Sequence, residues 1–204
     1  MATQKLGTEV RQEQIAEATL ALIAAKGVAK VSVAAVARRV GVVPSALYRH
    51  FTSKDEVLDA AMEMILGRLL ENVDAVCAEP GSPVEHLERL LIRHARMIRQ
   101  HSGIPQILLS QDFYQHRPDR RRRVYAGIRA YLARVADLVS NAQKAGLADP
   151  TIDADTVSVL FLGLIQSPAI LEQMSKGRFD VEAHVSRSWP LFLRAIRPDK
   201  ANAS

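Results

Sequence analysis

Residues 31–54 impose two short helices turned about a glycine, and that constraint governs most of what the chain can become. Ser32 stands where an N-cap is needed. Val33, Val36, Ala37 and Val40 then recur at i, i+3, i+4 and i+7, so one face of a two-turn helix is apolar while Arg38 and Arg39 stay in water. Gly41 ends this helix, because glycine enters a left-handed C-terminal turn without steric cost. Pro44 suits the first turn of a second helix, where its missing N–H is not needed. Leu47 and Phe51, four apart, pack inward. Ser45, Ala46 and Arg49 are left pointing out, with Tyr48 and His50 at the flanks. This is the layout by which a short helix is held in the DNA major groove.

Charge points the same way. Residues 1–54 carry eight basic side chains and three acidic ones, whereas the other 150 residues hold 19 of each. The whole formal net charge of +5 therefore sits on the quarter of the chain that holds the helix pair. Positive charge concentrated in this way favours a polyphosphate through counterion release, and binding should weaken steeply with salt.

The ordered combination Gly41-Val42, Leu47-Tyr48, His50-Phe51 and Lys54-Asp55-Glu56, following Ser32, resembles the DNA-binding signature of the tetracycline-repressor (TetR) family of bacterial transcription regulators. The segment Ile15–Gly27 is similar to that family's first helix, so about a third of the chain carries the match. The resemblance implies that Ser32 and the backbone of Val33 approach a phosphate, and that Ala34, Pro44, Ser45, Ala46 and Arg49 face the groove. It also implies that Tyr48, His50 and Lys54 contact the DNA backbone. In the groove-facing set Arg49 is the only long donor; Ala34, Pro44 and Ala46 offer van der Waals contact alone, so specificity leans on Arg49 and DNA shape. Lys5 and Arg11 are either further phosphate contacts or a loose tail.

Caps and breakers predict an all-α chain. The expected helices run from about Thr8 to Lys26, from a reciprocal Ser53/Glu56 capping box to about Ala78, and from a Ser82/Glu85 box with Pro83 at N1 to about His101. A short helix follows at 105–115, then long ones at about Asp119–Ala145 and Asp153–Ser175. A last helix from Asp180 should be kinked by Pro190. The expected organisation is a helix-turn-helix DNA-binding domain at 8–54 with its motif at 32–51, a larger helical effector-binding and dimerisation domain at 55–197, and a tail at 198–204.

In the larger domain polar side chains interrupt apolar stripes. His94 lies near Met97 and Ile98, Gln111 follows Ile107 and Leu108, Tyr131 falls between Ile128 and Leu132, and Gln166 ends the run to Ile165. A mostly apolar cavity with a few convergent polar groups is what a small-molecule effector needs; polar core residues bonded to backbone or water give the same pattern. The 153–175 helix is apolar on nearly every side and must be covered all round. With Phe161, Ile165, Val185, Trp189 and Phe192 it marks either the interface of a homodimer or a monomer's own core. Two-fold pairing is what reading two DNA half-sites requires, and the resemblance implies it.

Several chemistries fall away. His94 and His101 are about 10.5 Å apart along a helix axis, too far for one metal ion, and no cofactor motif or nucleophile–base pair is present. Cys77, the only cysteine, reads as an ordinary half-buried helix residue. The Arg120–Arg123 run either grips an anion or is a solvated helix start, although cations there oppose the helix dipole. No uninterrupted apolar run reaches the roughly 18 residues of a membrane span, and the N-terminus lacks a signal-peptide core, so a cytoplasmic location is expected. The resulting expectation is a homodimeric repressor that binds double-stranded operator DNA and is released by a small-molecule effector. The alternative is an architectural or partner-binding DNA protein without an effector.

Overall fold

The structure, a computed structural model, describes the backbone of residues 2–198 and the side chains of residues 11–198. The predicted contacts of Lys5 and the tail from 199 onward lie outside the described residues. Among the described residues every regular element is helical: α1 (Ala2–Lys26), a 3₁₀ turn (Val28–Lys30), α2 (Val33–Val40), α3 (Pro44–Tyr48), α4 (Lys54–Cys77) and α5 (Pro83–Gln100) come first. Then follow α6 (Gly103–Leu109), α7 (Gln111–Tyr114), α8 (Pro118–Lys144), α9 (Ala154–Met174) and α10 (Val181–Ile196). By its internal contacts the chain divides into two compact units, one of residues up to 68 with 101–125, the other of 69–100 with 126 onward. The divisions fall inside α4, between α5 and α6, and inside α8.

In the first unit α1 packs against α2 and α6, burying Ile15, Leu20 and Ile23. Gly103 lets α6 approach closely, since a Cβ there would stand 2.3 Å from the carbonyl oxygen of Leu20. The helix expected at 105–115 is two helices. Ser110 leaves helical geometry and caps α7 by accepting from the N–H of Phe113. The N-terminal box of α4 also differs from expectation. Ser53 accepts from the Glu56 N–H at 3.3 Å, but the Glu56 carboxylate turns back to the Thr52 N–H and hydroxyl, both at 2.7 Å.

Arg120 corrects the reading of the arginine run as a solvated helix start. Its side chain is only 3% exposed, with Nε 2.6 Å from Asp59 Oδ1 and Nη2 2.9 Å from Asp55 Oδ1. Nη1 donates to the Phe113 carbonyl at 2.7 Å, and the guanidinium lies over the Phe113 ring. Burial pulls its pKa down, but the hydrogen bonds and charges of Asp59 and Asp55 outweigh that and raise it. Arg117 also pairs with Asp55, and Arg123 with Asp59. The start of α8 is thus pinned to the first turns of α4.

In the second unit α5, α9 and α10 pack on one another. The Ser82/Glu85 box forms as expected, with the Glu85 carboxylate accepting from the Ser82 N–H at 2.7 Å and Ser82 Oγ accepting from the Glu85 N–H at 3.3 Å. Pro190 does not break α10, and a second proline, Pro168, sits inside α9.

Two expectations for this unit are overturned. Phe161, Ile165, Val185, Trp189 and Phe192, expected at a dimer interface, are all buried within the protomer, where Phe161 and Trp189 both contact the Phe192 ring. Nor is α9 covered all round: Val159, Leu160, Ile170, Leu171 and Met174, with Leu191 of α10, are exposed. Phe161, Trp189 and Phe192 are the bulkiest apolar side chains on these helices, and they fill the protomer's own core. By length and composition α9 is also apolar enough to cross a membrane, with a mean hydropathy of 1.5 despite its polar interruptions and only a third of that window buried. Cys77 is exposed at the end of α4, not half-buried.

Truncating Arg120 should be expensive, because two carboxylates and a carbonyl lose their shared donor. Arg120→Ala is expected to lower stability by about 2–4 kcal/mol in urea unfolding. Arg120→Lys should recover little of it, since an ammonium cannot reproduce the fork; a variant as stable as the parent would remove the pin.

Candidate nucleic-acid interface

The helix pair is built from caps and two buried anchors. Ser32, in extended geometry, accepts from the Ala35 N–H at 3.2 Å and opens α2. Gly41 takes the left-handed conformation at φ 81°, and the N–H groups of Gly41 and Val42 both return to the Ala37 carbonyl. The chain therefore reverses within three residues, and Pro44 begins α3 at N1. Leu47 and Phe51 are buried and hold α3 against its unit; both the His50 and Phe51 N–H groups close onto the Leu47 carbonyl at 2.9 Å.

What remains outside is the predicted face. Pro44, Ser45, Tyr48, Arg49 and His50 are exposed, with Tyr48 at 48%, while Ala34 and Ala46 are half-buried. Ser32 is exposed beside Val33, whose side chain is buried, so Val33 can offer only its backbone. Lys54 is half-buried and donates to the Ala29 carbonyl at 3.1 Å, which leaves two of its three donors for another acceptor. Among the described residues no carboxylate forms an ion pair with Arg38, Arg39 or Arg49. The surface is cationic, unneutralised and shallow, suited to a phosphate-lined groove.

The predicted effector residues do not all come together. His94 and Tyr131 do: His94 Nδ1 and the Tyr131 hydroxyl share a 3.0 Å hydrogen bond, with the rings edge to face. Met97 and Ile98 are buried on the same helix as His94. Burial holds the His94 imidazole down to about 4 and pushes the Tyr131 hydroxyl up. Gln111 is corrected, being exposed at the first position of α7 in the other unit. Gln166 is corrected as well. It follows the buried Ile165, and one helical step carries it to the exposed face of α9. His101, dismissed as a metal ligand, is hydrogen-bonded to Arg68 at 2.8 Å, and Arg68 pairs with Glu13 and Glu17.

Comparison with known proteins agrees with this geometry over most of the chain. Residues 15–61 match the profile of bacterial regulatory proteins of the tetR family, and residues 80–170 match that of the tetracyclin repressor-like C-terminal domain. The chain belongs to the tetR family of bacterial regulatory proteins. It is similar to the HTH-type transcriptional repressor KstR2 of Mycobacterium tuberculosis, 26% identical over 149 residues that cover 72% of this chain and 74% of that protein. A TetR/AcrR-family regulator from Thermobifida fusca is 28% identical, with a TM-score of 0.67 over 92% of this chain and 98% of that one. The fold is also shared with the transcriptional regulator FadR of Bacillus subtilis, solved in complex with stearoyl-CoA, at 18% identity and a TM-score of 0.76 over 91% and 99% of the two chains.

This TetR-family chain is accordingly a DNA-binding transcriptional regulator and not an enzyme. Reasoning from sequence missed the part played by Arg117 and Arg120 beneath the reading helices. The available signal was Asp55 and Asp59, an i, i+4 carboxylate pair on one side of α4 in need of a cationic partner.

His94 makes acid stability a readout of the second unit's core. Its folded pKa of about 4 lies below the ordinary 6.5, so between those values the unfolded chain binds a proton that the folded one refuses. The stability tied to neutral His94 is complete above about pH 6.5. It is lost as pH falls toward 4, amounting to about 3 kcal/mol. His94→Gln, which keeps a polar partner for Tyr131 but cannot titrate, should flatten that part of the pH profile in urea unfolding; identical profiles would place His94 outside the acid response.

Proposed function

We propose that this chain is a homodimeric, cytoplasmic transcriptional repressor that binds double-stranded operator DNA and is released by a small-molecule effector. The observation that carries the reading is the exposed face of Ser45, Tyr48, Arg49 and His50 on a helix anchored by Leu47 and Phe51. On this reading Ala34, Pro44, Ser45, Ala46 and Arg49 meet the groove. Ser32, the Val33 backbone, Tyr48, His50 and Lys54 fix the register on phosphates.

The partner proposed for the exposed apolar stripe is a second copy. Leu160, Gly163, Ser167, Ile170, Leu171 and Met174 recur at three- and four-residue spacing along α9, and Met174 is 76% exposed. A glycine inside an exposed helix costs about 1 kcal/mol relative to alanine. Gly163, with nothing near its missing Cβ, is accounted for if a partner helix crosses there. Two-fold pairing sets two α3 helices at half-site spacing, about 34–36 Å or a multiple. The functional division we propose remains the reader at 8–54 and the effector and dimerisation part at 55–197, with α4 as the connecting lever.

For the effector, His94, Met97, Ile98 and Tyr131 support a ligand with an apolar body and a polar group that competes for the His94–Tyr131 hydrogen bond. The FadR fold relative carries stearoyl-CoA, a molecule with such a body. A ligand releases DNA only by the difference between its affinities for the two states. The second reading, a DNA-binding architectural or partner-binding protein without an effector, is favoured by the closure of His94 and Tyr131 on each other.

DNA selection with the purified protein, followed by release assays across a metabolite panel, separates the two readings: release by a panel member supports the repressor, and none supports the alternative. Arg49→Ala should weaken selected DNA about 10-fold or more, within the ~1–3 kcal/mol of a bidentate base contact, while leaving random duplex nearly unchanged; equal losses would make Arg49 a phosphate contact. Leu160→Glu with Leu171→Glu should convert a dimer into monomers in light scattering and abolish two-half-site binding. Persistence of the dimer would place the interface elsewhere.

A further inference from the structure

The arginine run has a second side. Arg120 turns inward, but Arg117, Arg121 and Arg122 line an open hollow of about 590 Å³ together with Tyr114, His116 and Tyr125. All belong to the first unit, whereas His94 and Tyr131 belong to the second. Arg117 is held by Asp55 and Arg122 by the exposed Asp119. Arg121 pairs with no carboxylate among the described residues and instead lies over the Tyr114 ring at 5.6 Å. Tyr125 is 66% exposed, on the same face of α8 as Arg121 and Arg122, four and three residues earlier.

The contacts within the chain account for this concentration of guanidinium groups only in part. Arg120 is accounted for by its buried ion pairs. Arg117 precedes the first residue of α8 and Arg121 and Arg122 follow near the same end, where the macrodipole disfavours cations, and two carboxylates do not neutralise three guanidiniums. An anion in the hollow relieves both conflicts, and arginine forks suit phosphate oxygens. Tyr125 adds a requirement that a phosphate alone does not meet, since it is an exposed aromatic side chain lining the same space, whereas the Tyr114 ring is already covered by Arg121. A bare phosphate, or the backbone of duplex DNA, has no planar group to lay against Tyr125.

We propose that the hollow formed by Tyr114, His116, Arg117, Arg121, Arg122 and Tyr125 binds a nucleotide, with its base stacked on Tyr125 and its phosphates held by the arginines. The site does not depend on the operator reading or on the core around His94.

Calorimetric titration of the full chain at low salt tests it with ADP, GDP, adenosine and tripolyphosphate as probes. Saturable one-to-one binding of ADP or GDP is expected, at least 10-fold tighter than adenosine or tripolyphosphate. Arg121→Ala with Arg122→Ala should weaken it 10-fold or more. Tyr125→Ala should weaken it at least 5-fold and leave tripolyphosphate unchanged, since stacking on one base is worth about 1–3 kcal/mol, and Tyr125→Phe should restore it. These side chains are exposed, and unchanged circular dichroism verifies the fold of each variant. A preference between ADP and GDP identifies the base. Three results each overturn the proposal: no saturable nucleotide binding at millimolar concentration; tripolyphosphate as tight as ADP with Tyr125 indifferent, which makes the hollow a bare polyanion patch; or loss of random-duplex binding in the double arginine variant without nucleotide binding, which makes it a DNA contact.

Discussion

A five-residue helix cannot hold itself together in water, because nucleation fixes more backbone than its hydrogen bonds return. α3 exists because Leu47 and Phe51 are buried, and because Gly41 reverses the chain tightly enough to bring Pro44 to N1. The reading surface is therefore a consequence of packing. Once the two anchors face inward, the helical period leaves Ser45, Tyr48 and Arg49 outside and unneutralised. Ser32 works one step upstream by fixing where α2 begins, and with it the direction from which the turn is entered.

The support beneath that surface is electrostatic. Arg120 is almost out of water, and a lone guanidinium there would be prohibitive; it stands because Asp55, Asp59 and the Phe113 carbonyl surround it. Asp55 follows directly on Lys54, whose ammonium is tied to Ala29 behind α2. One carboxylate thus links the start of α8 to the same turn of α4 that abuts the helix pair. The start of α8 is thereby tied to α4 at both Asp55 and Asp59.

The sequence was most legible where local chemistry decides structure. The Ser32 cap, the Gly41 turn, Pro44 at N1, the Ser82/Glu85 box and the α8–α10 spans all follow from interactions within four residues. It was less legible where two partners compete for one group. Glu56 could reach back to Ser53 or Thr52, and only the geometry of the turn chooses Thr52. Arg120 was unreadable for a related reason: its carboxylates lie 61 and 65 residues away, and nothing local distinguishes it from Arg121. Among the expected effector residues, His94 and Tyr131 come together in the core because each interrupts an apolar stripe on a buried face. Gln111 and Gln166 interrupt stripes too, but at their edges, where one helical step decides between core and solvent.

Helix α9 shows why an average cannot stand in for a direction. α9 is apolar by any window, and membrane span, protomer core and subunit contact all draw on the same composition. Only the azimuth of each side chain separates them. Phe161 and Ile165 point into the protomer, whereas Leu160, Ile170, Leu171 and Met174 point away. Bulky aromatic residues fill the irregular space between α9 and α10, and the outward stripe is built from aliphatic side chains flanking Gly163 and Ser167. That is the composition for two regular helices to meet closely, with small residues at the crossing and flexible apolar ones on either side. A membrane would not need the small residues, and a protomer core would already have covered the large ones. The second α9 proposed as its partner would use both.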